Sequence, residues 1–181
     1  IFVSKECHYT ISEKINNLPT IIMNEINLIT KIRVYRIEEC SEIEKKLIKE
    51  AKQASQYAYA PYSTLQVGSA ILFDDGTTLS ANNQENAAYP SGLCAERIAV
   101  FFANARYPEK KITALAVAAF HKGNFTKHPI TPCGACRQVL LESENRFETP
   151  IKIIMYGENS VYMVDSAKDL LPLNFGEKIS L

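Results

Sequence analysis

The chain has 181 residues, 46% of them hydrophobic and 22% charged, with seven glycines and no tryptophan. That is the size and composition of an ordinary soluble globule with one core, and it excludes a disordered, collagen-like or disulfide-dense chain. Twenty Lys and Arg balance twenty Asp and Glu, which argues against a protein built to grip a phosphate backbone and favours a small or neutral ligand.

The stretch Ile1 to Ile22 does not begin with Met and lacks the basic start and apolar centre of a signal peptide. It is expected to be a non-native or disordered leader over 1–22, followed by a single domain over 23–181. From Ile26 to Tyr35, Ile and Val alternate with polar residues and predict an extended strand. Ser41 followed by Glu44 has the form of a capping box, and Ile43, Leu47, Ala51, Ala54 and Ala58 then repeat at helical spacing up to Pro61. Val67 to Phe73 and Thr77 to Ala81 read as two strands of a hairpin turning at Asp75-Gly76.

Beyond the loop Asn82 to Gly92, the Ala-rich stretch Cys94 to Ala105 reads as a buried helix and Ile112 to Phe120 as a strand. Gly134 to Asn145 predicts a helix, Ile151 to Tyr156 and Val161 to Val164 strands, and Ser166 to Leu171 a short helix stopped by Pro172. Strands interleaved with helices after an opening hairpin imply an α/β layer sandwich with a mixed sheet. No apolar run reaches the roughly 18 residues of a spanning helix, so no membrane role is expected.

The cysteines are Cys7, Cys40, Cys94, Cys133 and Cys136. An odd, unevenly spaced set with no secretory signal points to a reducing compartment and to metal or catalytic thiols. Cys133 and Cys136 alone could equally be a redox pair or half of a structural zinc knuckle. Cys94-Ala95-Glu96 changes that balance. Each segment stands where a helix is predicted to start, and three thiolates with one open position are what a catalytic zinc site needs. A carboxylate at Glu96, in a helix's first turn, can reach the same space and move a proton there. Three thiolates leave a divalent ion net negative, so Arg97 is expected to donate to them, with the two helix N-termini assisting.

These residues resemble the cytidine deaminase family, in the form that acts on free nucleosides. Ala60-Pro61-Tyr62-Ser63 with Val67-Gly68, the run Asn83 to Tyr89, Cys94-Ala95-Glu96-Arg97 and Pro132 to Gln138 stand in the family's order and approximate spacing, from about Ser41 to Phe175. The resemblance implies a three-layer α/β/α sandwich with a mixed sheet of about five strands. It implies one zinc per subunit held by Cys94, Cys133 and Cys136, and Glu96 carrying a proton to N3 of cytosine while hydroxide attacks C4. Asn83 and Glu85 would hold the ribose hydroxyls. Ala95 and Leu65 would line the substrate pocket, with Leu65 standing where the family often has Phe. Phe175, in Leu170-Leu171-Pro172-Leu173-Asn174-Phe175, would stack over the base in a neighbouring subunit's site. The implied protein is a cytoplasmic enzyme of pyrimidine salvage that converts cytidine and deoxycytidine to uridine and deoxyuridine. It would be a homo-oligomer, tetramer favoured over dimer, with no nucleic-acid polymer as partner.

Blander readings stand beside these. Glu96 could simply favour a helix N-terminus, Asn83 and Glu85 could make local turns, and Phe175 could be ordinary packing. Cys7 and Cys40 read as surface or incidental thiols. His8, His121 and His128 read as solvated side chains in irregular segments, with His128 an outside candidate for a ligand. The Lys45, Lys46, Lys49 and Lys52 run, interspersed with Glu42, Glu44 and Glu50, reads as a solvated helix face.

Overall fold

The computed structural model describes residues 11–12 and 25–176. The chain divides into two compact units, Ile1–Lys31 and Ile32–Leu181. In the first, β1 (Ile11–Ser12) pairs antiparallel with β2 (Glu25–Ile26); the rest of the expected leader lies outside the described residues.

The second unit contains a seven-stranded mixed sheet. Its elements in chain order are β3 (Arg33–Tyr35), α1 (Glu42–Ser55), β4 (Leu65–Phe73), β5 (Thr78–Asn82), α2 (Ala95–Arg106), β6 (Ile112–His121), β7 (Asn124–Phe125), α3 (Gly134–Phe147), β8 (Lys152–Tyr156) and β9 (Val161–Val164). The spatial order is β3-β9-β8-β6-β4-β5, with β7 pairing β6. Five of the expected strands form the continuous centre, β9-β8-β6-β4-β5. Beyond them, β3 is what remains of the expected entry strand, and the two-residue β7 is the one addition. The strand expected over Ile26 to Tyr35 is correspondingly broken, with only Arg33–Tyr35 reaching this sheet, against Val161–Met163.

Helices cover both faces, which makes the three-layer sandwich. Strand β6 separates the two sides by alternation. Leu115 and Val117 pack with Ala99, Val100 and Ala103 of α2 and Leu140 of α3. Ala114, Ala116 and Ala118 face the opposite way, with Leu47, Ile48 and Ala51 of α1. The small residues matter because α1 lies very close to the sheet. A Cβ built on Gly68 would come 1.9 Å from the Ala51 carbonyl oxygen and 2.5 Å from the Ser55 nitrogen.

The capping box forms as expected, with the Ser41 N–H donating to Glu44 Oε2 at 2.8 Å and the Glu44 N–H to the Ser41 hydroxyl at 3.4 Å. The helix stops at Ser55, well before Pro61. Tertiary pairing ends it: the Tyr59 N–H donates to the Asn83 carbonyl at 3.0 Å and the Glu85 N–H to the Tyr59 carbonyl at 2.8 Å, so this stretch is drawn into extended pairing with the loop after β5. Three smaller expectations also change. Cys40 is buried with Leu47 and Met163 in the α1-side core. His121 is the last residue of β6 and faces Leu65 across the ladder. Lys52 leaves the solvated face, its ammonium 4.4 Å from the Phe125 ring centre and 4.5 Å from that of Tyr156.

The position of α3 follows from one parallel pairing, β6 with β8. Parallel neighbours need a crossover, and α3 supplies it. Strands β5 and β6 each run antiparallel to β4, so they run parallel to one another. Helix α2 crosses between them. Helices leaving the C-terminal ends of β5 and β6 therefore begin at the same end of the sheet, where open α/β sheets place their ligands.

Gly68→Ala must push α1 off the sheet and is expected to cost about 3 kcal/mol of unfolding free energy in urea titration. Gly134→Ala, where a Cβ meets nothing within 4 Å, should change stability by less than about 1 kcal/mol. Burial pushes the Glu44 carboxyl up, but bonds from the Ser41 backbone and hydroxyl and from Lys152 outweigh it and hold it below its ordinary value. Its stabilisation is then complete above the unfolded carboxylate value of about 4.3 and is lost as pH falls through the depressed folded value. Glu44→Gln should flatten that acid limb when urea midpoints are measured from neutral pH downward.

Candidate active site

Cys94 and Cys133 are the N-cap residues of α2 and α3, and Cys136 lies in the first turn of α3. Because both helices start at one end of the sheet, the three sulfurs gather. Cys133 Sγ is 3.3 Å from Cys136 Sγ and 3.8 Å from Cys94 Sγ, and all three lie within 4.8 Å of one another. A tetrahedral zinc with bonds of about 2.3 Å separates its thiolates by roughly 3.8 Å, so donor type and spacing both fit zinc. Among the described residues the cluster contains no histidine. His128 therefore does not join it, and the three cysteines could hold a metal ion with a fourth position left open.

Glu96 is buried in the first turn of α2, as is Ala95 before it. The Glu96 carboxyl lies near enough to Cys94 and Cys136 for both to act on its proton affinity. Burial pushes its pKa up, and the charge on Cys94 adds to this. Cys94 moves the other way: hydrogen bonding from Cys136, and then from Arg97 and Cys133, overcomes burial and holds its thiol at about 5. Cys136, the donor in that pair and buried, is pushed up. The set thus prefers an anionic sulfur beside Arg97, whose guanidinium bonds the Cys94 sulfur and reaches the Gly92 carbonyl at 3.4 Å.

A cavity of about 280 Å³ opens beside Cys94, lined by Tyr62, Asn83, Gln84, Glu85, Asn86, Tyr89, Gly92 and Leu93. Asn83 and Glu85 stand together on this wall, and both also secure backbone. Asn83 Oδ1 accepts from the Val67 N–H at 2.8 Å and Nδ2 donates to the Leu65 carbonyl at 3.0 Å. Glu85 accepts from the N–H groups of Tyr62 and Ser63 at 2.8 and 3.2 Å and from the Ser63 hydroxyl. The Ser63 hydroxyl bond is the main reason that the Glu85 carboxyl lies below its ordinary value. Each keeps unused capacity: one Nδ2 hydrogen on Asn83 and spare lone pairs on both. Leu65 is half-buried where β4 begins, tied to the wall through Asn83. Phe175 is 83% exposed and is not part of this cavity.

The aromatic pair Tyr62 and Tyr89, edge to face at 6.1 Å, also forms part of the wall. Both stand inside the segments singled out in the sequence, Ala60 to Ser63 and Asn83 to Tyr89. They meet across a join in which Tyr59 pairs with the backbone of residues 83 and 85 and the Tyr62 N–H donates to the Glu85 carboxylate.

Comparison with known proteins decides the family. The model of the cytidine and deoxycytidylate deaminase zinc-binding region matches residues 41–148. The chain belongs to the cytidine and deoxycytidylate deaminase family. It is 49% identical over 96 residues to a cytidine deaminase of Halalkalibacterium halodurans, covering 53% of this chain and 68% of that one. A cytidine deaminase of Mycobacterium tuberculosis is 39% identical over 129 residues, covering 70% and 84%. Among solved structures, the cytidine deaminase of Burkholderia pseudomallei superimposes with a TM-score of 0.64 at 37% identity, covering 75% of this chain and all (100%) of that one. The fold is therefore the cytidine deaminase fold, and the protein is a zinc-dependent hydrolase of this family.

Arg97→Gln removes the cation bonded to Cys94. Zinc should then pass to a competing chelator about tenfold more readily, as followed by the absorbance of a zinc indicator.

Proposed function

We propose that the protein hydrolyses cytidine and deoxycytidine to uridine and deoxyuridine with release of ammonia, in pyrimidine salvage. The observation that carries this is a buried carboxyl, Glu96, in the first turn of the helix capped by Cys94, beside a cluster of three cysteines that has no fourth protein ligand among the described residues. A purely structural zinc site closes its tetrahedron with a fourth Cys or His and has no use for a carboxyl there.

In this reading Cys94, Cys133 and Cys136 hold zinc, which would supply the Lewis acidity that makes hydroxide available at neutral pH. Glu96 takes a proton, carries it to N3 of the base as C4 is attacked, and then delivers a proton to the departing amine. Its burial suits that task, because it raises the carboxyl's proton affinity above the ordinary value and so favours uptake of the proton that is later passed on. Ala95, without side-chain bulk beside Cys94, lets the base approach. Asn83 and Glu85 use their remaining hydrogen-bonding capacity on the ribose hydroxyls, and Leu65 forms the wall against the base. Arg97 offsets the negative charge of the thiolates.

Phe175 is assigned to a neighbouring subunit's base, in a homotetramer. Its exposure, and that of Tyr89, Phe101 and Phe102, supports a chain that covers apolar surface by self-association. No helix among the described residues is long and apolar enough to cross a membrane, and the reduced thiols suit the cytoplasm.

The zinc-loaded protein should remove the ultraviolet band of cytidine, lose that activity with the metal and regain it on zinc addition. Glu96→Gln should keep its zinc and lose turnover by about 100-fold or more. A wild-type protein with zinc bound but inactive on cytidine and deoxycytidine would overturn the proposal.

A further inference from the structure

The two residues that follow Cys136 on α3 grip the segment that carries Phe175. Arg137 Nε donates to the carbonyl of Pro132, the residue before Cys133, at 2.8 Å. Its Nη2 reaches Thr131 Oγ1 at 3.3 Å, and its Nη1 donates to the Leu170 carbonyl at 2.8 Å. Gln138 Nε2 donates to the Phe175 carbonyl itself at 2.8 Å. Two turns further on, Glu144 accepts from the Ala167 N–H at 2.7 Å and from the Ser166 hydroxyl. One helix thus holds the stretch 166–175 at its start, middle and end.

What is held is backbone, and what is left free is side chain. Leu173 and Phe175 are 81% and 83% exposed, although the Phe175 carbonyl is tied down and Asn174 Nδ2 closes the turn onto the Leu171 carbonyl at 3.2 Å. A side chain meant only to pack would be buried with its backbone. A fixed backbone with a protruding ring is preorganised for delivery to another surface, since the ordering cost is met before binding. The guanidinium fork is suited to the coupling because it spans several acceptors rigidly.

We propose that Arg137 and Gln138 are positioning residues that lock Phe175 in register with the turn bearing Cys133 and Cys136, so that the stacking ring and the metal ligands move as one body. This rests on the reading in which Phe175 stacks over a neighbour's base. Neither residue touches substrate; each acts through the segment that it holds.

Gln138→Glu keeps the side-chain volume and removes the donor. It is expected to raise KM for cytidine about tenfold, the worth of one such hydrogen bond, with kcat and zinc content little changed. Phe175→Ala should raise KM at least as much, and the double variant should be no worse than Phe175→Ala alone. Multiplying effects would mean that Gln138 acts elsewhere and would overturn the proposal. A Phe175→Ala variant with unchanged KM would remove both the stacking reading and this one. Arg137→Lys keeps the charge but not the fork, so KM and the rate of zinc loss to a chelator should rise together; movement of only one would overturn the coupling.

A readout independent of turnover comes from the absence of tryptophan in the chain. Phe175→Trp installs a single tryptophan that can be excited at wavelengths where the nine tyrosines absorb little, and Gln138→Glu in that background should lower its anisotropy. Unchanged anisotropy would overturn the proposal even in an active enzyme, whereas an inactive wild type with the anisotropy loss intact would overturn only the catalytic reading.

Discussion

The structure depends on the direction of two strands. Because β5 and β6 both run antiparallel to β4, the helices that leave them start at the same end of the sheet. Cys94 and Cys133 cap those helices and must therefore meet. Reversing either strand would send one helix to the far end and separate the thiols by the length of the sheet. The centre is thus a consequence of sheet topology together with the loop after β5, which the paired Gln84 and Leu93 fold back immediately before Cys94.

That meeting concentrates charge, and the fold answers it locally. Two helix N-termini present unsatisfied N–H groups and partial positive charge to the sulfurs. Arg97 adds a full charge, bonded to Cys94. The result is an anion-stabilising environment around the thiols, while Glu96, buried a few ångströms of chain away, is pushed toward its neutral form. One cluster therefore holds groups whose proton affinities are driven in opposite directions.

The opposite face of the sheet contributes through closeness. Gly68 and the alanines of β6 let α1 lie against the strands, and the chain leaving α1 is then placed to pair with the loop after β5. Asn83 and Glu85 bind that chain at Tyr62, Ser63, Leu65 and Val67. The local-turn reading of these two residues and their proposed ligand role are compatible. An amide and a carboxylate have enough donors and acceptors for both, and the backbone bonds fix their orientation for the remaining ones.

Much of this was legible in the sequence because it is local. The capping box at Ser41 and Glu44, the hairpin at Asp75-Gly76 and the alternation of Ala with Leu and Val in β6 each report a short-range rule of backbone geometry. The three cysteines that the fold brings together could be singled out too, because Cys94-Ala95-Glu96 stands beside one predicted helix start and Cys133 and Cys136 beside another. Features that depend on distant partners could not be read. The end of α1 at Ser55 is set by pairing with residues 83 and 85. The two-residue β7 exists only because the end of β6 is free to pair, and the strand expected over Ile26 to Tyr35 reaches the sheet only at the residues that meet β9. Cys40 is buried by the turn that precedes α1, and the grip of Arg137 and Gln138 on residues 170 and 175 joins positions far apart in the chain. By itself the sequence determined which residues could do the chemistry, because side-chain type and helix position are local properties. Tertiary structure alone decided which of them share a space and which backbones they hold, because hydrogen bonds between remote segments form only after the sheet has chosen its strand order.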